Sequence, residues 1–300
     1  MKIIALFLAL LLERLATRWF HWRELRWLDP LFDFGLRLSH RWSANMPYLW
    51  IIVTLVLAVA PVAFARFFLD EALLGLPYLI LSVVVLFLCL GPQDIGEEVD
   101  RWRAAIDNGD RPTERNFARA LLERGFNDTV GVRESVPASV FVQANSRMFA
   151  VIFWFVVLGP IGAWLYRVTD LIRRRALFQS QRAAPEIDVA ADCGARVTTL
   201  QALLAWVPAR LSAIGYILAG HYDAGRDAWR ALPMARDLAH SNQLVLSRVG
   251  IAALQCTANI DESAEAYVTR RARAAKNLAL RTLGFWLVGL ALLTLVGFAV

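Results

Sequence analysis

Several stretches of this chain are too long and too apolar for a water-soluble fold to absorb. A helix that crosses a bilayer needs roughly 20 largely apolar residues, and lipid offers no partner to a backbone N–H or C=O left unpaired. Residues 47–68, 72–90, 149–166 and 283–300 all approach or meet that length. Hydrophobic side chains make up 58% of the chain, against roughly 45–50% in an ordinary soluble domain, and the excess lies in these runs. Strand alternation, fixed-period repeats and low-complexity tracts are absent. The sequence therefore predicts an all-α, polytopic helical membrane protein. It has about four spanning helices plus amphipathic or re-entrant helices, in a single domain over residues 1–300.

Two apolar segments do not fit the simple pattern. Residues 3–12 are apolar but too short to span alone, and Glu13 and Arg14 follow at once without a small-x-small cleavage site. This segment is read as retained, lying at the interface or packed on other helices. Residues 203–219, LLAWVPARLSAIGYILA, carry Pro208 and Arg210 near their middle. An arginine at the centre of a membrane helix costs at least about 2.5 kcal/mol. The segment is thus a buried helix, a re-entrant element, or a span with a functional arginine. Trp19, Trp22, Trp27, Trp42 and Trp50 cluster before the first clear span, where tryptophan anchors at the headgroups.

Between the spans, residues 93–147 and 221–281 read as helical and polar. Asn108-Gly109-Asp110 marks a turn in the first, and a basic stretch closes the second. The net charge of +6 is almost all arginine; Lys2 and Lys276 are the only lysines. With no nucleic-acid-binding motif, the basic balance points to loops facing anionic lipid, and no nucleic acid is expected as a partner. Arg173–Arg175 and the cluster Arg270, Arg271, Arg273, Lys276 and Arg281 share a side if four segments span. Cys89, Cys193 and Cys256 suggest neither a disulfide framework nor a zinc site; Cys89 reads as a small core residue.

Signatures of nucleotide, zinc-protease, nucleophile-elbow and dinucleotide chemistry are missing. The acids Asp94, Glu97, Glu98 and Asp100 could hold a divalent metal with a phosphate substrate. They could equally open a helix and pair with arginines. Glu13-Arg14 can neutralise itself at the membrane edge or pair with Arg210. Pro208 frees a backbone carbonyl one turn earlier, and Arg210 can donate to that carbonyl, bind a phosphate or carboxylate, or snorkel to the headgroups.

Four blocks resemble the AmpE family: LLLERL at 10–15, FAVIFWFVVLGPIGAWLYR at 149–167, LLAWVPARLSAIGYILAGH at 203–221 followed by Trp229, and AKNLALRTLGFWLVGLALLTLVGFAV at the C-terminus. Within them, the resemblance makes Glu13, Arg14, Tyr166, Arg167, Trp206, Pro208, Arg210 and His221 candidate ligand-binding or functional residues, with Arg147 just before the second block. It implies a bacterial inner-membrane regulatory protein modulating β-lactamase induction near peptidoglycan recycling, with muropeptide or a recycling amidase as partners and no cofactor. AmpE is grouped with the CobD/CbiB cobalamin-biosynthesis proteins, which join an aminopropanol unit to a corrinoid carboxylate with ATP. The alternative this implies is an ATP-dependent amide ligase using Mg-ATP. Residues 140–154 here lack the acids of that branch and carry Arg147 instead. This departure argues against corrin chemistry.

Overall fold

A computed structural model of the chain describes residues 2–16, 25–34, 48–69, 76–90, 95–122, 132–182, 188–259 and 261–296. All regular secondary structure among them is helical. The elements are α1 (Lys2–Ala16), a 3-10 turn (Arg26–Leu28), α2 (Leu49–Leu69), α3 (Leu76–Cys89), α4 (Ile95–Asp107), α5 (Arg111–Leu122) and α6 (Val132–Ala144). A π-helical turn (Asn145–Phe149) leads into α7 (Ala150–Leu158), followed by α8 (Pro160–Arg182), α9 (Asp188–Ala219), α10 (Tyr222–Arg230), α11 (Leu238–Leu254) and α12 (Ala264–Leu295).

Among the described residues, four helical segments are long and apolar enough to cross a membrane: Leu49–Phe67, Ser135–Leu158, Gly194–Ala219 and Ala264–Leu295. The chain is a multi-pass helical membrane protein. The boundaries differ from the sequence expectation at three places. The run expected at 149–166 ends at Gly159, and its apolar helix extends back to Ser135. Gly159 has φ +70°, and Pro160 opens the next helix. A left-handed glycine ends a helix and a proline suits the first helical position, so this dipeptide is a corner rather than a kink. A Cβ on Gly159 would also approach the Tyr78 hydroxyl at 3.2 Å. Of the run expected at 72–90, the described residues form α3, Leu76–Cys89. Residues 203–219, left open above, belong to the continuous 32-residue α9. Trp50, expected as a headgroup anchor, is fully buried, whereas Trp27 is exposed. Trp19, Trp22 and Trp42 lie outside the described residues, as does the expected turn at Asp70-Glu71. Cys89 is buried as expected.

Contacts divide the chain into two compact units interleaved in sequence: Met1–Pro92, Ala150–Leu204 and Val300; and Gln93–Phe149 with Ala205–Ala299. In the first, α1 packs on α3, and α2 and α3 both pack on α8. The indole of Trp164 donates to the Ala58 carbonyl at 2.9 Å, in the turn before Pro61. In the second, α6 is central and touches α4, α5, α11 and α12. Its core joins Val99, Trp102, Val140, Phe141, Phe149, Tyr216, Leu246, Ala272 and Leu278. Tyr216 lies 4.7 Å from the Phe141 ring and donates its hydroxyl to the Phe141 carbonyl at 3.1 Å. Local signals account for the helix ends here. Asp110 accepts from the Thr113 N–H after the Gly109 turn, Asp237 caps α11 through His240, and Ser263 caps α12 through Ala266.

Continuity of α9 through Pro208 depends on one contact. Pro208 has no N–H, so the Leu204 carbonyl loses its intrahelical donor. The indole Nε1 of Trp154 supplies the missing bond at 3.0 Å. Leaving that carbonyl unpaired costs about 1–3 kcal/mol. Trp154→Phe should therefore lower unfolding stability in detergent by about that amount, and by clearly less in a Pro208→Ala background, where the restored N–H takes the carbonyl. Equal losses in both backgrounds would contradict this account.

Candidate functional site

The residues singled out in the WVPARL block converge on Arg210, in the second half of α9. Its Nη1 donates to the Trp206 carbonyl at 3.0 Å and to Asn242 Oδ1 at 2.6 Å, and its Nη2 donates to Ser241 Oγ at 2.9 Å. The guanidinium carbon lies 4.3 Å above the Trp206 ring. The carbonyl freed by Pro208 is thus not the one Arg210 takes: Trp154 occupies Leu204, and Arg210 shares the Trp206 carbonyl one residue pair further on. Trp206 is 43% exposed. His221 stands apart from this group. It is exposed, its side chain caps nothing, and its backbone N–H joins α9 to α11 through the Ala253 carbonyl at 2.9 Å.

Arg147 occupies the π turn, a distortion that often accompanies functional side chains. Its Nη1 meets Glu98 Oε1 at 2.9 Å and its Nε meets Gln143 Oε1 at 3.0 Å, in a pair almost closed to solvent. Next to it Asn145, also buried, accepts from the Ser212 hydroxyl at 3.1 Å. The acids proposed as a metal group are separated by this arrangement. Glu97 pairs with Arg101 at 3.3 Å, Glu98 with Arg147, and Asp100 with Lys276 at 2.7 Å. Asp94 lies outside the described residues. Among the described residues no three His, Cys, Asp or Glu side chains are grouped to hold a metal ion.

With this geometry in view, residues 1–300 match the family described as regulatory signalling modulator protein AmpE. The chain belongs to the AmpE family. The AmpE protein of Shigella flexneri is 24% identical over 303 residues, covering 99% of both chains. Two proteins named cobalamin biosynthesis protein CobD are also similar. The one from Chromobacterium violaceum is 29% identical over 237 residues, 75% of this chain and 72% of its own length. The one from Stutzerimonas stutzeri is 29% identical over 215 residues, 67% of this chain and 66% of its own length. No solved structure matches the chain.

In this AmpE-family chain the remaining candidates fall in the other unit. Tyr166 is buried and accepts from the Gln201 amide at 3.1 Å. Arg167 is buried beside Asp170, at 3.5 Å. The side chains of Glu13 and Arg14, on α1, lie outside the described residues. Asp170 itself escaped the sequence reading, although Arg167, Arg173 and Arg174 stand three before, three after and four after it on one helix. That spacing was a readable signal. The carboxylate is fully buried and takes Arg173 at 2.9 Å and Arg174 at 2.8 Å. Burial alone would raise its pKa, but the guanidinium charges of Arg174, Arg173 and Arg167 outweigh burial and hold it well below the usual carboxylate range.

A carboxylate with a depressed folded-state pKa contributes stability above its unfolded pKa, near about 3.9, and loses it as pH falls towards the folded value. Asp170→Asn should cost about 3–5 kcal/mol, because the arginines keep their charge without a counterion. Acidifying the wild type below about pH 4 should erode the same contribution. Thermal melts across pH that show no difference in slope between wild type and variant would contradict this assignment.

Proposed function

We propose that this protein is a non-enzymatic modulator of β-lactamase induction in the bacterial inner membrane, acting on peptidoglycan recycling through a muropeptide or a recycling amidase. The carrying observation is the match to a regulatory signalling family along the full chain. The side-chain arrangement supports it. Of the acids that a ligase could use to hold Mg-ATP, Glu97, Glu98 and Asp100 are engaged by Arg101, Arg147 and Lys276, and Arg147 stands where the synthase branch is expected to carry acids. In a strain with an inducible β-lactamase, deleting the gene should change induced activity and muropeptide levels, and the wild-type chain should restore both. Unchanged induction and unchanged muropeptides in the deletion strain would rule the reading out.

One observation favours a second reading. The identity to the CobD proteins, 29% over 67–75% of this chain, exceeds the 24% to the AmpE relative. That reading is an ATP-dependent amide ligase with Arg210 as a phosphate or carboxylate clamp. The regulatory reading predicts that Mg-ATP leaves the thermal midpoint of the purified protein unchanged. A Mg-ATP-dependent stabilisation that disappears in Arg210→Ala would favour the ligase instead.

A further inference from the structure

Arg210 faces its surroundings differently from the arginines of this chain that fork onto a carboxylate. Arg173, Arg175 and Arg270 each present the Nε and Nη2 edge to a carboxylate: Asp170 at 3.3 and 2.9 Å, Asp33 at 2.9 and 2.9 Å, and Glu262 at 2.8 and 2.6 Å. Arg210 directs its Nη1 and Nη2 groups to neutral acceptors, the Trp206 carbonyl, Asn242 and Ser241. Among the described residues it pairs with no carboxylate. Among the described residues its charge is therefore held in place without a counterion, and the Nε–H edge that takes an oxyanion in the other three meets no acceptor. The Trp206 ring beneath the guanidinium fixes its plane.

The neighbours of Arg210 set its depth in the membrane. At roughly 1.5 Å per residue, the 26-residue apolar segment Gly194–Ala219 is about 39 Å long, against a hydrocarbon core of about 30 Å, so one end protrudes. α11 runs parallel to the second half of α9: Arg210 meets Ser241 and Asn242 near its start, and His221 meets Ala253 near its end. The turn before α11 therefore lies level with Arg210, and Arg236 and Asp237 are exposed there. α10, between the two, exposes Asp223, Asp227 and Arg230. Exposed charges at that level point to the C-terminal half of α9 as the one nearer the headgroups, where an exposed tryptophan such as Trp206 is favoured. Val207, exposed and apolar, follows Trp206 on the same helix. The start of α11 adds the positive end of a helix dipole, and the Asp237 carboxylate already accepts from His240 N–H at 2.7 Å.

We propose that Arg210, with Trp206 and the first turns of α11, binds the phosphate of an anionic membrane phospholipid. The phosphate oxygens meet the open Nε edge of the guanidinium, and an acyl chain lies along Trp206 and Val207. The test is native mass spectrometry of the detergent-purified full chain titrated with phosphatidylglycerol, phosphatidylcholine or inorganic phosphate. Wild type should retain phosphatidylglycerol in preference to phosphatidylcholine. Arg210→Gln should weaken phosphatidylglycerol retention by about tenfold, the scale of a lost charge-assisted contact. Arg210→Lys, which keeps the charge but not the fork, should fall between them, and Arg248→Gln, an exposed arginine on α11, should match wild type. Equal retention of the two lipids by wild type overturns the proposal without recourse to any variant. So does phosphatidylglycerol retention by Arg210→Gln equal to wild type. Displacement of the lipid by millimolar inorganic phosphate would overturn the lipid as the source of the anion.

Discussion

The fold depends on satisfying polar atoms inside helices that lipid cannot satisfy. In α2 and α9, which carry Pro61 and Pro208 inside them, an indole from another helix donates to a carbonyl near the proline: Trp164 to Ala58, and Trp154 to Leu204. Tyr216 does the same for Phe141, and Ser212 pairs with Asn145 inside the π turn. Without such partners Pro208 would mark a site where α9 unwinds. With Trp154 in place, α9 continues as a helix and carries Arg210 to a fixed position against α11.

Charge follows the same logic at higher cost. Asp170 and Glu98 are buried acids, each held by arginine at hydrogen-bond distance. Asp170 gathers arginines from neighbouring turns of its own helix, whereas Glu98 reaches from α4 to the π turn. These pairs specify packing more than they stabilise it, since removing one partner strands the other. Arg210 differs from the arginines of these pairs, because its hydrogen-bond partners are neutral. A cation oriented in this way, close to exposed polar turns, suits recognition better than packing. This is the physical ground for tying a regulatory membrane protein to a ligand that is itself part of the membrane.

Composition and run length made the helical membrane fold legible, and local chemistry made many helix ends legible. Asn108-Gly109-Asp110 forms the expected turn. The Gly159-Pro160 corner was equally readable, but apolar residues on both sides masked it, because hydropathy does not register backbone conformation. The continuity of α9 was not readable, since it depends on Trp154, a residue 50 positions away from its acceptor. Arg210 stands out in the sequence as a charge within an apolar run, whereas its partners Ser241 and Asn242 do not: short polar residues in a helix of mixed character carry no distance information. Glu98 was visible as an acid, but its spacing to Glu97 suggested a cluster where the fold sends the two side chains to different arginines.

The central claim is that α9 remains a continuous helix through Pro208, with Arg210 held on its second half. Spin labels at Leu203 and Leu218, both exposed on α9 and on either side of Pro208, test it by electron paramagnetic resonance distance measurement in nanodiscs. A continuous helix predicts a narrow distribution at about 22 Å between the backbone positions. A re-entrant turn in this segment would bring the labels within about 10 Å or broaden the distribution, and would contradict the account.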